Sequence, residues 1–405
     1  MKRKSIICLQ CLLLLTACQN PVESSESNSI FNSESISVAT PTYQIKVVDL
    51  DGEELGSATI NINKQSSVFN DLINNFAVDY TVSDYGPYIS SINGSIVDVN
   101  YFLAIYENGV SAATGVDGLV ADENDVFEFK VECWNTVSSG YGTMDEYDLL
   151  VDKVIYSYMK TLDLSSSTTF ADGTFWDLMT INLGKNNYYD ANVFNFDSIS
   201  EGVKEELTSY DINTLTDSNL YKYYMYSKVL DKDLSALKTY ASSYLETLSD
   251  TYSDYVTPFI IATSYGLGIE SEKINTLVNA PISTNFAWGP DIPVWQYTTS
   301  SLYNENLDKA TLNKCVETLD YGNSCSNALV LQAFAAEGEN IRDSKYKVNG
   351  KDLIEVLFDN YYNADKNILE YTKGVENTYS TNQTIVSLMA YKVYRDTQKA
   401  VNIYG

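Results

Sequence analysis

The sequence predicts a multidomain protein in which a small α+β domain precedes a larger all-α domain of paired helices. Two observations carry that expectation. The chain has 405 residues, more than one ordinary domain uses. Its texture also changes once: apolar residues alternate in short runs between Tyr43 and Trp134, then recur at three- and four-residue spacing from Tyr147 almost to the end. A charged fraction of only 20% with 33 tyrosines marks a folded chain, not a disordered acidic one.

The first 18 residues carry Lys2, Arg3 and Lys4, an apolar run from Ile6 to Leu15, and then Thr16-Ala17-Cys18. That order is a secretory signal peptide, too short to span a membrane. Leu15-Thr16-Ala17-Cys18 resembles the lipobox of bacterial lipoproteins. On that reading cleavage before Cys18 leaves a lipid-carrying residue, and the mature protein is extracytoplasmic and anchored to the bacterial cell membrane. The alternative is a plain signal peptide whose cleavage site includes a cysteine. Residues 19–42, rich in Ser, Asn and Glu without apolar periodicity, read as a flexible stalk.

Charge and composition then narrow the chemistry. The formal charge is −28, and losing the three cations of residues 1–17 takes it to −31. Such a surface repels phosphate backbones, so nucleic acid is not an expected partner. The chain has no histidine, which excludes Ser-His-Asp triads, Cys-His dyads and HExxH sites. Of six cysteines, Cys8 and Cys11 leave with the signal and Cys18 takes lipid, leaving Cys133, Cys315 and Cys325. Cys315 with Cys325 is a candidate disulfide, an odd count forbids a full framework, and without a CxxC no metal site is expected.

In chain order, residues 43–63 alternate around an Asp51-Gly52 turn, a hairpin signal. Val68, Leu72, Ile73 and Phe76 then recur at helical spacing after Ser66-Ser67. Tyr88–Ile92, Tyr101–Tyr106 and Val126–Trp134 read as strands, completing an α+β domain over 43–134. Residues 135–146 read as a linker, and 147–405 as seven or more helices in side-by-side pairs. The runs starting at Tyr147, Leu220, Tyr255, Thr311, Cys325, Lys351 and Asn382 carry the periodicity.

Few residues suggest chemistry. Asp49, Asp51, Glu53 and Glu54 look faintly like a calcium loop but lack later ligands, so an acidic hairpin tip is the simpler reading. Between helical runs, Pro290 and Pro293 interrupt the stretch holding Trp288, Asp291 and Trp295. It reads as an inter-helix loop, or as aromatic faces with one carboxylate at a cavity rim. Ser324–Asn327 and Ser380–Gln383 stand ahead of two small-residue runs, as helix caps or as donors around one shared mouth. No spacing singles out an acid–base pair, so no catalytic residue is assigned and no enzyme activity is expected.

With those residues set out, the chain resembles the transcobalamin and intrinsic factor family in bacterial lipoprotein form. The family's Gly-x-x-(Val/Ile)-x-Ser-(Ile/Val)-x-(Gly/Asn) turn is matched by Gly86-Pro87-Tyr88-Ile89-Ser90-Ser91-Ile92-Asn93-Gly94. Tyr101-Phe102, Gly109, Gly115-Val116 and Cys133-Trp134 follow its later strands and turns. The resemblance implies a β-grasp-like small domain and an α/α-toroid like that of prenyltransferases. It also implies cobalamin or another corrinoid bound between the domains, with no covalent cofactor. By position it implicates Ser91, Ile92, Phe102, Ala112, Ala113 and Gly115, and on the toroid side Asp291, Ser326, Thr381 and Gln383. The domain order departs from the vertebrate carriers, and Phe102-Leu103 stands where they carry Trp and Gln.

The expected function is therefore a surface-tethered lipoprotein that captures a bulky amphipathic ligand, with a membrane transporter as a further partner. The alternatives are a glycan-binding or glycan-processing toroid and a surface adhesion or scaffold protein.

Overall fold

The computed structural model describes residues 40–405 apart from 64–66, 96–97, 141, 163, 167–173, 189–200, 251–256, 288 and 305–306. The signal peptide, Cys18, nearly all of the stalk and Trp288 thus lie outside the described residues. Pro41–Gly405 form one compact unit, a sheet-containing region followed by a helical one.

The sheet region contains β1 (Thr42–Val48), β2 (Glu54–Asn61), α1 (Val68–Asn75), β3 (Val78–Ser83), β4 (Gly86–Ile92), β5 (Tyr101–Glu107), β6 (Val110–Ser111) and β7 (Val126–Cys133). Five strands make a mixed sheet in the order β2-β1-β7-β5-β6, with β1 and β7 parallel at its centre. β3 and β4 form a separate hairpin, so Val78–Ser83, absent from the expected strands, is one. Period-2 alternation sends Ile45, Val47, Phe127 and Phe129 inward against Val68 and Leu72 of α1, where they build the first core. Ser67 caps α1 by accepting from the Asn70 N–H.

The helical region holds α2 (Glu146–Thr161), α3 (Thr174–Asn187), α4 (Glu201–Ser209), α5 (Asp217–Val229), α6 (Ser235–Thr247), α7 (Thr257–Gly266) and α8 (Glu272–Val278). It continues with α9 (Asp291–Ser300), α10 (Ala310–Glu317), α11 (Ser324–Glu337), α12 (Leu353–Tyr361), a short hairpin of β8 (Tyr362–Asn363) and β9 (Ile368–Leu369), and α13 (Thr378–Thr397). Each odd helix from α3 to α13 packs on the next, and α13 packs back on α3, closing a six-membered ring. The even helices pack outside it. Ring helices are buried on nearly every side, which suits the Ala, Ser, Val and Leu of α11; α10 and α12 bury one stripe. No described helix is long and apolar enough to cross a membrane.

Two local expectations are corrected. Asp291–Ser300 is a ring helix, not an inter-helix loop: Pro290 is its N-cap and Pro293 lies in its first turn, where a missing N–H costs no hydrogen bond. The run from Leu220 to Leu248 is two helices, because the chain turns at Asp231, whose φ is 52°.

The two regions share buried polar contacts along α2. Tyr101 donates to Asp152 at 2.7 Å, and Tyr156 to Asp98 at 2.7 Å. Lys392 on α13 is fully buried, with Nζ 2.8 Å from Asp98, 3.3 Å from Asp152 and 2.9 Å from Asp396. Arg395 pairs with Asp152 at 2.9 Å. Burial opposes the Lys392 charge, yet Asp152 and the other carboxylates outweigh it and hold its pKa above the ordinary lysine value. The acidic tip of β1–β2 closes on Lys160, with Asp49 at 2.8 Å, Asp51 at 3.0 Å and Glu53 at 3.2 Å. Tyr101 and Val131 of the sheet region join the helical core, so residues 135–146 connect two surfaces already in contact.

Candidate functional site

The first turns of α3, α9, α11 and α13 gather at one end of the ring. Asp177 lies in the first turn of α3 and meets Asn382 near the start of α13, whose Nδ2 donates to Asp177 Oδ2 at 3.2 Å. Tyr158, from the last turn of α2, bonds to Asp177 Oδ1 and to Asn382 Oδ1, the second at 3.0 Å. Between α9 and α11, Ser326 donates to Asp291 at 2.9 Å. True N-caps stand slightly ahead of the expected positions: Asn323 accepts from Ser326 N–H, and Asn377 from Ser380 N–H.

Just inside this mouth, aromatic rings close the ring interior. Phe175 of α3, Tyr221 of α5, Phe259 of α7 and Trp295 of α9 touch in series, with centroids 5.9 to 6.3 Å apart. Several buried polar atoms here have no hydrogen-bond partner among the described residues: Trp295 Nε1, Tyr221 Oη, Ser324 Oγ, Gln383 Nε2 and Thr384 Oγ1.

A cavity of about 340 Å³ opens at the α3–α13 seam, lined by Tyr158, Asp177, Ile368, Glu376, Thr381 and Asn382 among others. Asp177 is 6% exposed. Its burial raises the carboxyl to about 7, against the opposing Tyr158 hydrogen bond. Burial, and then the neighbouring Asp177, moves the Tyr158 hydroxyl above its ordinary value. Asp291 is likewise raised by burial, with Ser326 opposing. A second cavity, about 420 Å³, lies beside Glu337 and Ala400–Asn402 at the C-terminal end of α11.

Of the residues singled out on the ring, the structure joins Asp291 to Ser326, puts Thr381 in the cavity wall, and buries Gln383 with its amide nitrogen unpartnered. The sheet-region set lies elsewhere. Ile92 is in the first core beside Ser91 on β4, Ala112 packs partly on that core, and Ala113 and Gly115 are exposed. Phe102 follows Tyr101, which faces α2, so strand alternation turns it to the opposite, open face. Among the described residues no hydrogen bond or ion pair links this set to the ring mouth. Sequence reading missed Tyr158 and Asp177; the available signal was a lone acid inside the apolar run Phe175-Trp176-Asp177-Leu178-Met179. Cys315 and Cys325 are free thiols, and no group of His, Cys, Asp and Glu among the described residues is placed to hold a metal.

No family model matches the chain, and no curated protein matches it. Among solved structures, a proposed metal-binding protein from Ruminococcus gnavus aligns at 16% identity with a TM-score of 0.20, covering 23% of this chain and 97% of that one. A likeness that slight bears on neither fold nor function.

Proposed function

We propose that this is a surface-tethered lipoprotein, anchored through Cys18, that binds a saccharide at the mouth of an α/α-toroid flanked by a β-grasp-like domain. One observation carries the reading: the roughly 340 Å³ cavity whose wall combines hydroxyl, amide and carboxyl groups with aromatic and aliphatic faces. Sugars present that mixture of polar edges and apolar ring faces.

The corrinoid reading has less behind it. It needs strand atoms and helix ends on one cleft, and no residue of the sheet region lines this cavity. A thermal-shift panel of maltose, cellobiose, lactose and chitobiose on the mature protein tests the proposal. At least one should raise the Tm of the wild type and fail to raise that of Thr381→Trp, which fills the cavity. No response to saccharides together with cobalamin retained through dialysis would refute it.

A further inference from the structure

We infer that Asp177 carries a proton in the native protein, and that Tyr158, Asp177 and Asn382 form one closed cycle of hydrogen bonds that keeps these three side chains at the α3–α13 seam uncharged until that proton leaves.

The inference is a count of hydrogens. Three contacts close the triangle: Tyr158 Oη to Asp177 Oδ1, Tyr158 Oη to Asn382 Oδ1 at 3.0 Å, and Asn382 Nδ2 to Asp177 Oδ2 at 3.2 Å. A tyrosine hydroxyl has one hydrogen, the amide nitrogen donates only along its own edge, and an ionised carboxylate donates none. With Asp177 ionised, one contact is therefore two oxygens facing each other with no hydrogen between them. A proton on Asp177 completes the cycle: Asp177 donates to Tyr158, Tyr158 to Asn382, and Asn382 back to Asp177. Reversing the Asn382 amide gives the same count. Its nitrogen then donates to Tyr158, and its oxygen needs the Asp177 hydrogen.

The surroundings agree. Asp177 is buried, and no ion pair reaches it among the described residues. Lys160, two residues beyond Tyr158 on α2, is held by Asp49, Asp51 and Glu53. Glu376, ahead of α13, is paired with Lys366, and Lys222 of α5 lies 5.6 Å from the Phe175 ring centre. The raised carboxyl value of about 7 follows from that burial.

The cycle joins the outer helix α2 to the first and last helices of the ring. Loss of the proton to solvent would both put a charge on the α3–α13 seam and break one of its contacts. The inference needs no ligand, so it stands or falls separately from saccharide binding.

Asp177→Asn tests it, because an amide at this position has the shape and the hydrogen of the neutral acid. Infrared spectra of the mature protein at pH 5.5 should contain a carboxylic C=O band that Asp177→Asn lacks and that fades by pH 8.5. Chemical unfolding from pH 5 to 9 adds a sign. The folded carboxyl binds its proton up to about 7, and the unfolded one only to its ordinary, lower value. The wild type should therefore lose stability relative to Asp177→Asn as pH rises toward 7, by about tenfold in the folding constant per pH unit, and then level off. No missing band at pH 5.5, a flat difference with pH, or an Asp177→Asn chain that does not fold would each overturn the inference.

Discussion

Replacing Lys392 by Met asks how much the buried contact between the two regions contributes. Methionine keeps the length of the aliphatic stem, so little cavity forms and the change is chiefly one of charge. In the native protein Lys392 and Arg395 face Asp98, Asp152 and Asp396, with Lys392 fully buried and Arg395 nearly so. Removing the ammonium leaves Arg395 alone against three carboxylates and strips Asp98 of the one cation that pairs with it among the described residues. Deleting one partner of a buried ion pair costs about 3–5 kcal/mol, against a total stability of about 5–15 kcal/mol for typical domains. The urea midpoint of Lys392→Met, followed by circular dichroism, should fall accordingly. The deficit should be smaller at pH 5 than at pH 8. Burial already raises the Asp152 carboxyl, and without Lys392 it rises further, so the folded state takes up a proton the unfolded chain does not and is penalised as pH increases. Adding Asp98→Asn should recover part of the loss. A cost under about 1 kcal/mol, or one independent of pH, would mean that the cluster is not the electrostatic joint described here.

Other outcomes are equally definite. Cys18→Ser should abolish incorporation of labelled palmitate and release the protein from the membrane fraction; continued labelling would remove the anchor from the reading. Gly266→Ala would bring a Cβ to 2.2 Å from the Tyr224 hydroxyl oxygen, a buried ring with nowhere to go, and should cost about 1–3 kcal/mol by chemical unfolding. Thiol titration of the unfolded mature chain should find three free groups, whereas the native protein should leave Cys315 unlabelled at pH 8, since burial pushes it up to about 12. A count of one would restore the Cys315–Cys325 bridge.

The sequence made much of the fold legible, and its failures have physical causes. Strand alternation in Tyr43–Val48 and Val126–Cys133, and the three-four spacing of α2 and α12, are visible because each element buries one side. α3 and α9 are nearly invisible for the opposite reason: both are buried around most of their circumference, so apolar and polar residues mix without period, and Pro293 reads as a breaker until it is seen in the first turn. The β3 strand was hidden because it is mostly exposed. At the site, the cap-like stretches before α11 and α13 pointed toward the mouth. The Tyr158–Asp177–Asn382 triangle did not, since its members stand 19 and 205 residues apart and only ring closure brings them together.

Closure also imposes an order on biosynthesis. The seam between α3 and α13 unites segments some two hundred residues apart, so the ring stays open until α13 has left the ribosome. A nascent chain that ends between α11 and α13 exposes the apolar flanks of α3 and α11, the kind of surface on which partly made chains aggregate. Folding of this protein therefore calls for keeping the incomplete ring from aggregating until its last helix arrives. Substitutions at the seam should lower yield in the cell before they lower the stability of molecules that have already folded.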